Sequence, residues 1–209
     1  MKKIKIIILL FLILLVSACG EKEVIDLSKG TIDTITYQET EEITNYVKIE
    51  MDFDEAILLE LYPDKAPITV ENFQNLVKEK FFDGSIFHRV VKDFMIQGGI
   101  SAKGEVADSI KGEFKNNNGF NNPVSHERGV ISMARTSDNM NSASSQFFIM
   151  HQDNLGLDGD YAAFGRVIAG LSTVDKIANT AVDNPYSMAP KPIKDQVIRS
   201  IRFISLIEE

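Results

Sequence analysis

Residues 87–99 read FHRVVKDFMIQGG. Alternation puts Phe87, Arg89, Val91 and Asp93 on one side and His88, Val90, Lys92 and Phe94 on the other, the period of a strand. Both sides mix apolar and charged groups, so neither face is simply polar. Gly98 and Gly99 close the segment and suit a bend or a close backbone approach. On this pattern Arg89 shares a face with Phe87 and Val91, which are expected core. Its charge then either sits at a strand edge with its stem laid over apolar neighbours, or serves a site. The local pattern leaves both open.

Two later stretches change the balance. Residues 129–150 read GVISMARTSDNMNSASSQFFIM, and residues 157–165 read LDGDYAAFG. Taken with FHRVVKDFMIQGG, these blocks make the chain resemble the cyclophilin-type peptidyl-prolyl cis-trans isomerases, in that family's order and near its spacing. The resemblance runs from about Tyr46 to about Ile207. It implies a mainly β fold: a closed eight-stranded antiparallel barrel with an α-helix over each open end. Many short strands with two helices suit such a barrel.

The sequence has 209 residues and is 44% hydrophobic, enough for one core-bearing domain with an added tail. Its N-terminus reads as a targeting segment. Lys2, Lys3 and Lys5 precede an apolar run at 6–16. As a helix that run spans only about 16 Å, short of a hydrocarbon core of about 30 Å. Val16-Ser17-Ala18-Cys19-Gly20 follows, and small residues before the sole Cys resemble the lipobox of bacterial lipoproteins. That resemblance implies a signal peptide over 1–18, cleavage before Cys19 and lipid on Cys19. The chain is then expected at the cell membrane, anchored by lipid on the extracytoplasmic face. An ordinary signal peptide with a chance Cys, or a short uncleaved anchor, is the alternative. A single Cys excludes an internal disulfide.

Formal charge is −8, and without the three N-terminal lysines 19 basic residues face 30 acidic ones. Such a body is repelled by nucleic acid and by anionic lipid, so nucleic acid is not an expected partner. The segment 19–45 is polar and acidic and reads as a tether. Whether part of it adds an edge strand is open. The isomerase-like domain is expected over 46–209, as a monomer.

Within that domain, 46–51 and 56–62 read as strands joined by a turn. Pro67 opens a helix with Val70, Phe73, Leu76 and Val77 on its apolar face. Residues 101–122 read as loop with a short strand near Phe114. Strands are expected at 129–134, 146–150 and 162–167. Ser172 is expected to cap a second helix running through Ala178. Alternation of Val197, Arg199, Ile201 and Phe203 marks the closing strands.

Rotation about a peptide C–N bond faces a barrier of about 18–20 kcal/mol set by amide resonance. A catalyst of X-Pro rotation needs no metal, nucleophile or cofactor. It needs a slot for the ring, an anchor for the chain and a donor that favours the twisted amide. The family resemblance supplies each part. Arg89 matches the catalytic arginine, and Gln97 would orient it or the substrate carbonyl. Phe94, Met95 and Phe148 match the proline pocket, and Leu157 its rim. Ala134 and Arg135 match the edge where main-chain groups grip the peptide, and Gln146 a second polar contact. Tyr161 stands where many members have His. Taken singly, Phe94, Met95, Phe147 and Phe148 read as plain core; Phe147 is assigned there because it alternates with Phe148. A proline-peptide binding module of the same fold, with little catalysis, is the second reading.

Two departures stand out. Gly156 occupies the place of a Trp that many eukaryotic members use to bind cyclosporin, which puts sensitivity to that drug in doubt. Arg135 replaces a common Asn, and its charge would favour acidic peptides. His88, His126 and His151 are widely spaced and show no metal-ligand pattern. No G-x-S-x-G and no phosphate-binding glycine loop is present.

Overall fold

A computed structural model describes residues 29–207. The expected signal peptide, Cys19 and the first part of the acidic segment lie outside the described residues. Ten strands form one sheet: β1 (Lys29–Ile32), β2 (Ile35–Glu39), β3 (Tyr46–Met51), β4 (Ala56–Leu61), β5 (Arg89–Val91), β6 (Met95–Gly98), β7 (Val130–Met133), β8 (Phe147–Met150), β9 (Ala163–Ala169) and β10 (Ile198–Leu206). Their order is β1-β2-β10-β3-β4-β9-β7-β8-β6-β5, and every pairing is antiparallel.

This corrects the expected closed barrel of eight strands with two helices. No strand ladder joins β5 to β10. The chain ahead of β5 meets the start of β10 instead, at a bridge between Ile86 and Val197, with the Gly84 N–H donating to the Ile198 carbonyl, the Ile198 N–H to that of Ser85 and the Phe87 N–H to that of Gln196, at 2.8–3.0 Å. β5 is three residues long, too short to run on along β10. The two extra strands come from the acidic segment: β1 and β2 form a hairpin, and β2 pairs with β10.

There are three helices among the described residues: α1 (Pro67–Lys78), α2 (Lys115–Asn118) and α3 (Leu171–Ala178). α1 starts with Pro in its first turn and buries Val70, Phe73, Leu76 and Val77. Ala66, at its N-cap, gives no side-chain bond. Buried Glu113, from a distant loop, accepts instead from the N–H groups of Ile68 and Thr69, at 3.0 and 2.8 Å. A carboxylate there satisfies orphan donors and meets the positive end of the helix dipole.

Phe73 lies against Phe82, Phe147 and Phe164, with ring centroids 5.2–5.7 Å apart. These rings, with Ile49, Leu59, Val90, Ile96, Ile131 and Ile149, make the main core. Truncating a fully buried Phe in such a core costs about 3–5 kcal/mol.

Three local expectations fail for identifiable reasons. Phe114 is not in a strand; it precedes the short α2 and is buried. Ser172 does not cap α3, which starts after Gly170 at φ 85°. A Cβ at Gly170 would meet the Ala56 carbonyl at 2.3 Å, so only glycine fits that entry. In β10 a bulge between Ile198 and Ser200 shifts the alternation, so Ile198 rather than Val197 is buried in phase with Ile201.

Candidate active site

Residues 87–98 are not one strand. The chain turns at 92–94, and β5 folds back on β6. Arg89 stands opposite Gln97, Gln97 opposite Phe148, and Phe148 opposite Ser132. Residues directly opposite in a sheet share a face, so one row runs across four strands. The other face of the same strands carries Val90, Ile96, Phe147, Ile149 and Ile131 into the main core. The site face has its own apolar cluster of Met95, Val130, Phe148 and Met150, with Val91, Phe94, Leu157 and Tyr161 packed against it. Two buried faces explain why the sequence shows no polar side. Phe87 belongs to the main core and Val91 to the site cluster. The expected shared face of Phe87, Arg89 and Val91 is therefore broken, because β5 begins only at Arg89.

One cavity of about 160 Å³ is lined by Arg89, Phe94, Met95, Gln97, Ala134, Arg135, Phe148, Leu157 and Tyr161. All nine were singled out in the sequence. The tenth, Gln146, lines an adjoining cavity of about 170 Å³ with Gln97, Ala134, Arg135, Thr136, Ser142 and Ser144. Drug-sized ligands occupy about 300–1,000 Å³, so the first cavity suits a single ring or side chain.

Arg89 is held at two points. Its Nε donates to the Met188 carbonyl at 3.0 Å, and its Nη1 to Gln97 Oε1 at 3.1 Å. Gln97 Nε2 in turn donates to Gln146 Oε1 at 3.0 Å. Nη2 of Arg89 has no partner among the described residues, which leaves it available to a guest. Burial pulls the Arg89 guanidinium below its ordinary pKa, with a smaller opposing effect from Tyr161. It stays charged, since arginine does not lose its proton in proteins.

Behind Phe148 lies a buried polar chain that sequence reasoning missed. His126 Nδ1 sits 2.8 Å from Asp158 Oδ1, and its Nε2 sits 3.1 Å from Ser132 Oγ. With the carboxylate accepting, Nδ1 carries the proton and Nε2 accepts from the serine hydroxyl. The ring stacks on Phe148 at 6.0 Å and meets Tyr161 edge-on at 6.4 Å. A Ser-His-Asp set can mark a hydrolase. Here Ser132 is fully buried beneath the pocket floor, so its hydroxyl cannot reach a substrate. The chain braces Phe148 and the segment after Leu157 instead. No motif flags it, because its members lie 6 and 32 residues apart.

Arg135 does not project a free charge. Its guanidinium lies 4.7 Å from the Tyr161 ring centre and 5.5 Å from that of Phe114. Nε donates to the Asp160 carbonyl and Nη1 to that of Thr136, both at 2.9 Å. The side chain stiffens the cavity rim. Gly156 lies in a short 3-10 turn, Leu155–Leu157, where Asn154 Oδ1 accepts from its N–H.

The model of the cyclophilin-type peptidyl-prolyl cis-trans isomerase family matches residues 46–203. The chain belongs to that family. A peptidyl-prolyl cis-trans isomerase of Acinetobacter baylyi is 44% identical over 146 residues, which is 66% of this chain and 76% of that protein. Isomerase B of Escherichia coli is 37% identical over 153 residues, covering 69% of this chain and 92% of the relative. Among solved structures, a cyclophilin of Cryptosporidium parvum crystallised with the dipeptide Ala-Pro aligns with a TM-score of 0.62. It is 28% identical, over 75% of this chain and 97% of that one. The cyclophilin match begins at Tyr46, so the β1–β2 hairpin lies outside the family's own domain.

Proposed function

We propose that this cyclophilin catalyses X-Pro rotation with Arg89 as the transition-state donor and the 160 Å³ cavity as the proline slot. The observation that carries this reading is the doubly anchored guanidinium on the cavity wall with Nη2 unengaged. In the planar amide the proline nitrogen lends its lone pair to the carbonyl. At the twisted state that pair returns to nitrogen and accepts a hydrogen bond. A donor fixed at that place binds the twisted state better than either planar isomer, which lowers the barrier. Phe94, Met95, Phe148 and Leu157 hold the ring. Gln97 fixes Arg89, and the edge at Ala134 and Arg135 with Gln146 holds the flanking chain.

A hydrogen bond from a charged donor is worth about 1.5–3 kcal/mol. Each ~1.36 kcal/mol of transition-state stabilisation is tenfold in rate. Arg89→Ala is therefore expected to lower kcat/KM on a short X-Pro peptide by roughly one to two orders of magnitude, with a similar melting temperature. Arg89→Lys is expected to be nearly as poor, since an ammonium lacks the planar fork that reaches Gln97 and substrate together. Near-parental turnover in Arg89→Ala would end this mechanism, whereas negligible turnover in the parent itself would favour the binding-module reading.

The enzyme works, in this proposal, as a lipid-anchored monomer on the extracytoplasmic face, and its substrates are secreted or surface chains. The support is the sequence around Cys19 alone. Cys19→Ser is expected to block lipidation and release the protein from membranes. A variant that fractionates with membranes as firmly as the parent would remove the anchor.

A further inference from the structure

The loop ahead of β10 reaches back over β5 at two points. The Pro190 carbonyl accepts from the Val90 N–H at 3.0 Å, and the Met188 carbonyl accepts from Arg89 Nε at 3.0 Å. Met188 thus holds the guanidinium with a main-chain atom, while its side chain points away and is 89% exposed. A main-chain acceptor is only as well placed as the loop that carries it. This loop lies outside any strand or helix, and residues 183–189 are exposed.

Main-chain links tie its base, a bridge between Val182 and Pro192 and the Ile193 N–H donating to the Ala181 carbonyl at 2.8 Å, and one side chain reinforces them. Asp183 Oδ1 accepts from the N–H of Asn184 at 2.7 Å and from that of Lys191 at 2.9 Å. The Asp183 N–H donates to the Lys191 carbonyl at 2.9 Å. Residues 183 and 191 are thereby clasped, and the seven residues between them become a closed ring. Smaller bonds shape its interior: the Tyr186 N–H donates to Asn184 Oδ1 at 3.0 Å, and the Ala189 N–H to Ser187 Oγ at 3.1 Å. Those two N–H bonds hold the carboxyl of Asp183 below its ordinary pKa, Lys191 first and Asn184 second, so it is ionised at neutral pH. An ionised acceptor makes the stronger bond.

We infer that Asp183 is a positioning residue for catalysis: its carboxylate clasps the 183–191 loop and so fixes the Met188 carbonyl that orients Arg89. The inference rests on the reading of Arg89 as the catalytic donor. Its action runs through three bonded steps, Asp183 to the Lys191 and Asn184 amides, the loop to the Met188 carbonyl, and that carbonyl to Nε. Without the carboxylate the loop keeps only its main-chain ties at 181–183 and at Pro190, the Met188 carbonyl can drift, and the guanidinium can then pivot about its bond to Gln97. The planar substrate is still gripped by the pocket and the edge, so the loss falls on the transition state.

The test uses the full chain and a short chromogenic X-Pro peptide. Asp183→Ala is expected to lower kcat by about tenfold with KM nearly unchanged, since small misplacements of a reacting group cost this much or more. Its melting temperature should stay within about 2 °C of the parent, as for most exposed substitutions. Asp183→Asn keeps an oxygen at Oδ1 and should restore most of the rate. The Arg89 Nε–H resonance, followed by NMR, should shift and exchange faster in Asp183→Ala and return in Asp183→Asn. Parental kcat in Asp183→Ala would overturn the inference while leaving the role of Arg89 intact, provided Arg89→Ala is slow in the same assay. Lost rate with an unmoved Nε–H resonance would overturn it too, because the effect would not then pass through Arg89. Parental rate in Arg89→Ala would remove the catalytic reading and this inference together.

Discussion

At the scale of single residues, the His126 ring stacks on Phe148 while Asp158 and Ser132 hold it at its two nitrogens. Phe94, Met95, Phe148, Leu157 and Tyr161 sit in short blocks whose residue types and spacing match a family motif. His126, Ser132, Asp158 and Met188 act through distances the chain closes only on folding. His126 shows no metal-ligand spacing in the sequence, and in the fold it is fully buried and bonded at both ring nitrogens. Burial pushes its pKa below the ordinary value near 6.5, and this outweighs the raising effect of Asp158. His88 is lowered as well, by burial first and then by the charge of Arg89. Both are held neutral in the fold, while the unfolded chain takes up the proton at the ordinary value. Where the unfolded state binds more protons, stability rises with pH. The contribution is therefore complete above about pH 6.5 and shrinks as pH falls from there towards the lowered values. Asp158 follows in more acid solution: burial raises it, but bonds from His126 and Ser125 outweigh burial and leave it lowered. We expect the melting temperature to fall between pH 7 and pH 5, and His126→Phe to flatten that slope whatever it does to the level. A parental melt independent of pH across this range would contradict a buried neutral His126.

At the scale of elements, α1 and the strands β3, β4, β7, β8 and β9 fall close to where the sequence places them, and the β5–β6 hairpin does not. α1 announces itself by Pro67 and by Val70, Phe73 and Val77. The β5–β6 hairpin does not, because Lys92-Asp93-Phe94 keeps the strand alternation while the backbone turns. The structure turns there through Asp93 at φ 60°, a left-handed conformation that Asp tolerates better than most residues. The turn is held from another strand. His151 Nδ1 accepts from the Asp93 N–H at 2.9 Å, and the His151 N–H donates to the Phe94 carbonyl at 2.8 Å. Arg128 and Asp175 meet on the far side of the same ring, with Asp175 3.2 Å from His151 Nε2. A residue 58 positions away thus decides where two pocket-bearing strands part. The bulge in β10 is the same kind of event. One inserted residue reverses which side chains are buried, and only pairing with β3 reveals it.

At the scale of the whole molecule, the acidic segment proved divided. The sequence reads 19–45 as a tether and leaves an added edge strand open; the apolar residues of 29–39 are few, but few suffice for a strand that pairs at an existing edge. Tyr37 is buried with Leu58, Ala169 and Ile204. Glu39 reaches Lys48 at 2.5 Å, Lys48 meets Glu50 at 2.8 Å, and Lys48 is 1% exposed. The Lys48 ammonium also faces the Tyr37 ring at 5.6 Å. At the far end of the hairpin, Asp33 Oδ2 accepts from the Gly170 N–H at 2.9 Å, at the start of α3. The hairpin therefore lids a buried charge and buttresses a helix entry, though it stands outside the family's own domain. If Cys19 is the anchor, the ten steps from Cys19 to Lys29 allow at most about 36 Å between lipid and fold at ~3.6 Å per residue. A chain beginning near residue 41 tests the hairpin's part. It loses Glu39 and Tyr37 but keeps Glu50. Breaking a buried charge pair costs about 3–5 kcal/mol when the survivor stays buried. Here the deletion also opens Lys48 to water, which places the cost at the lower end, about 3 kcal/mol. No residue lining the proline slot lies on β1, β2 or β10. Turnover of a short X-Pro peptide well below the melt should therefore stay within about twofold of the parent, since only a change near ~0.4 kcal/mol in the barrier would exceed that. Denaturant melts and the peptide assay on one preparation separate the outcomes. An unchanged melt would show that the Glu39–Lys48 pair and Tyr37 contribute little. An unchanged melt with lost turnover would place the hairpin in the catalytic apparatus, against the geometry described above.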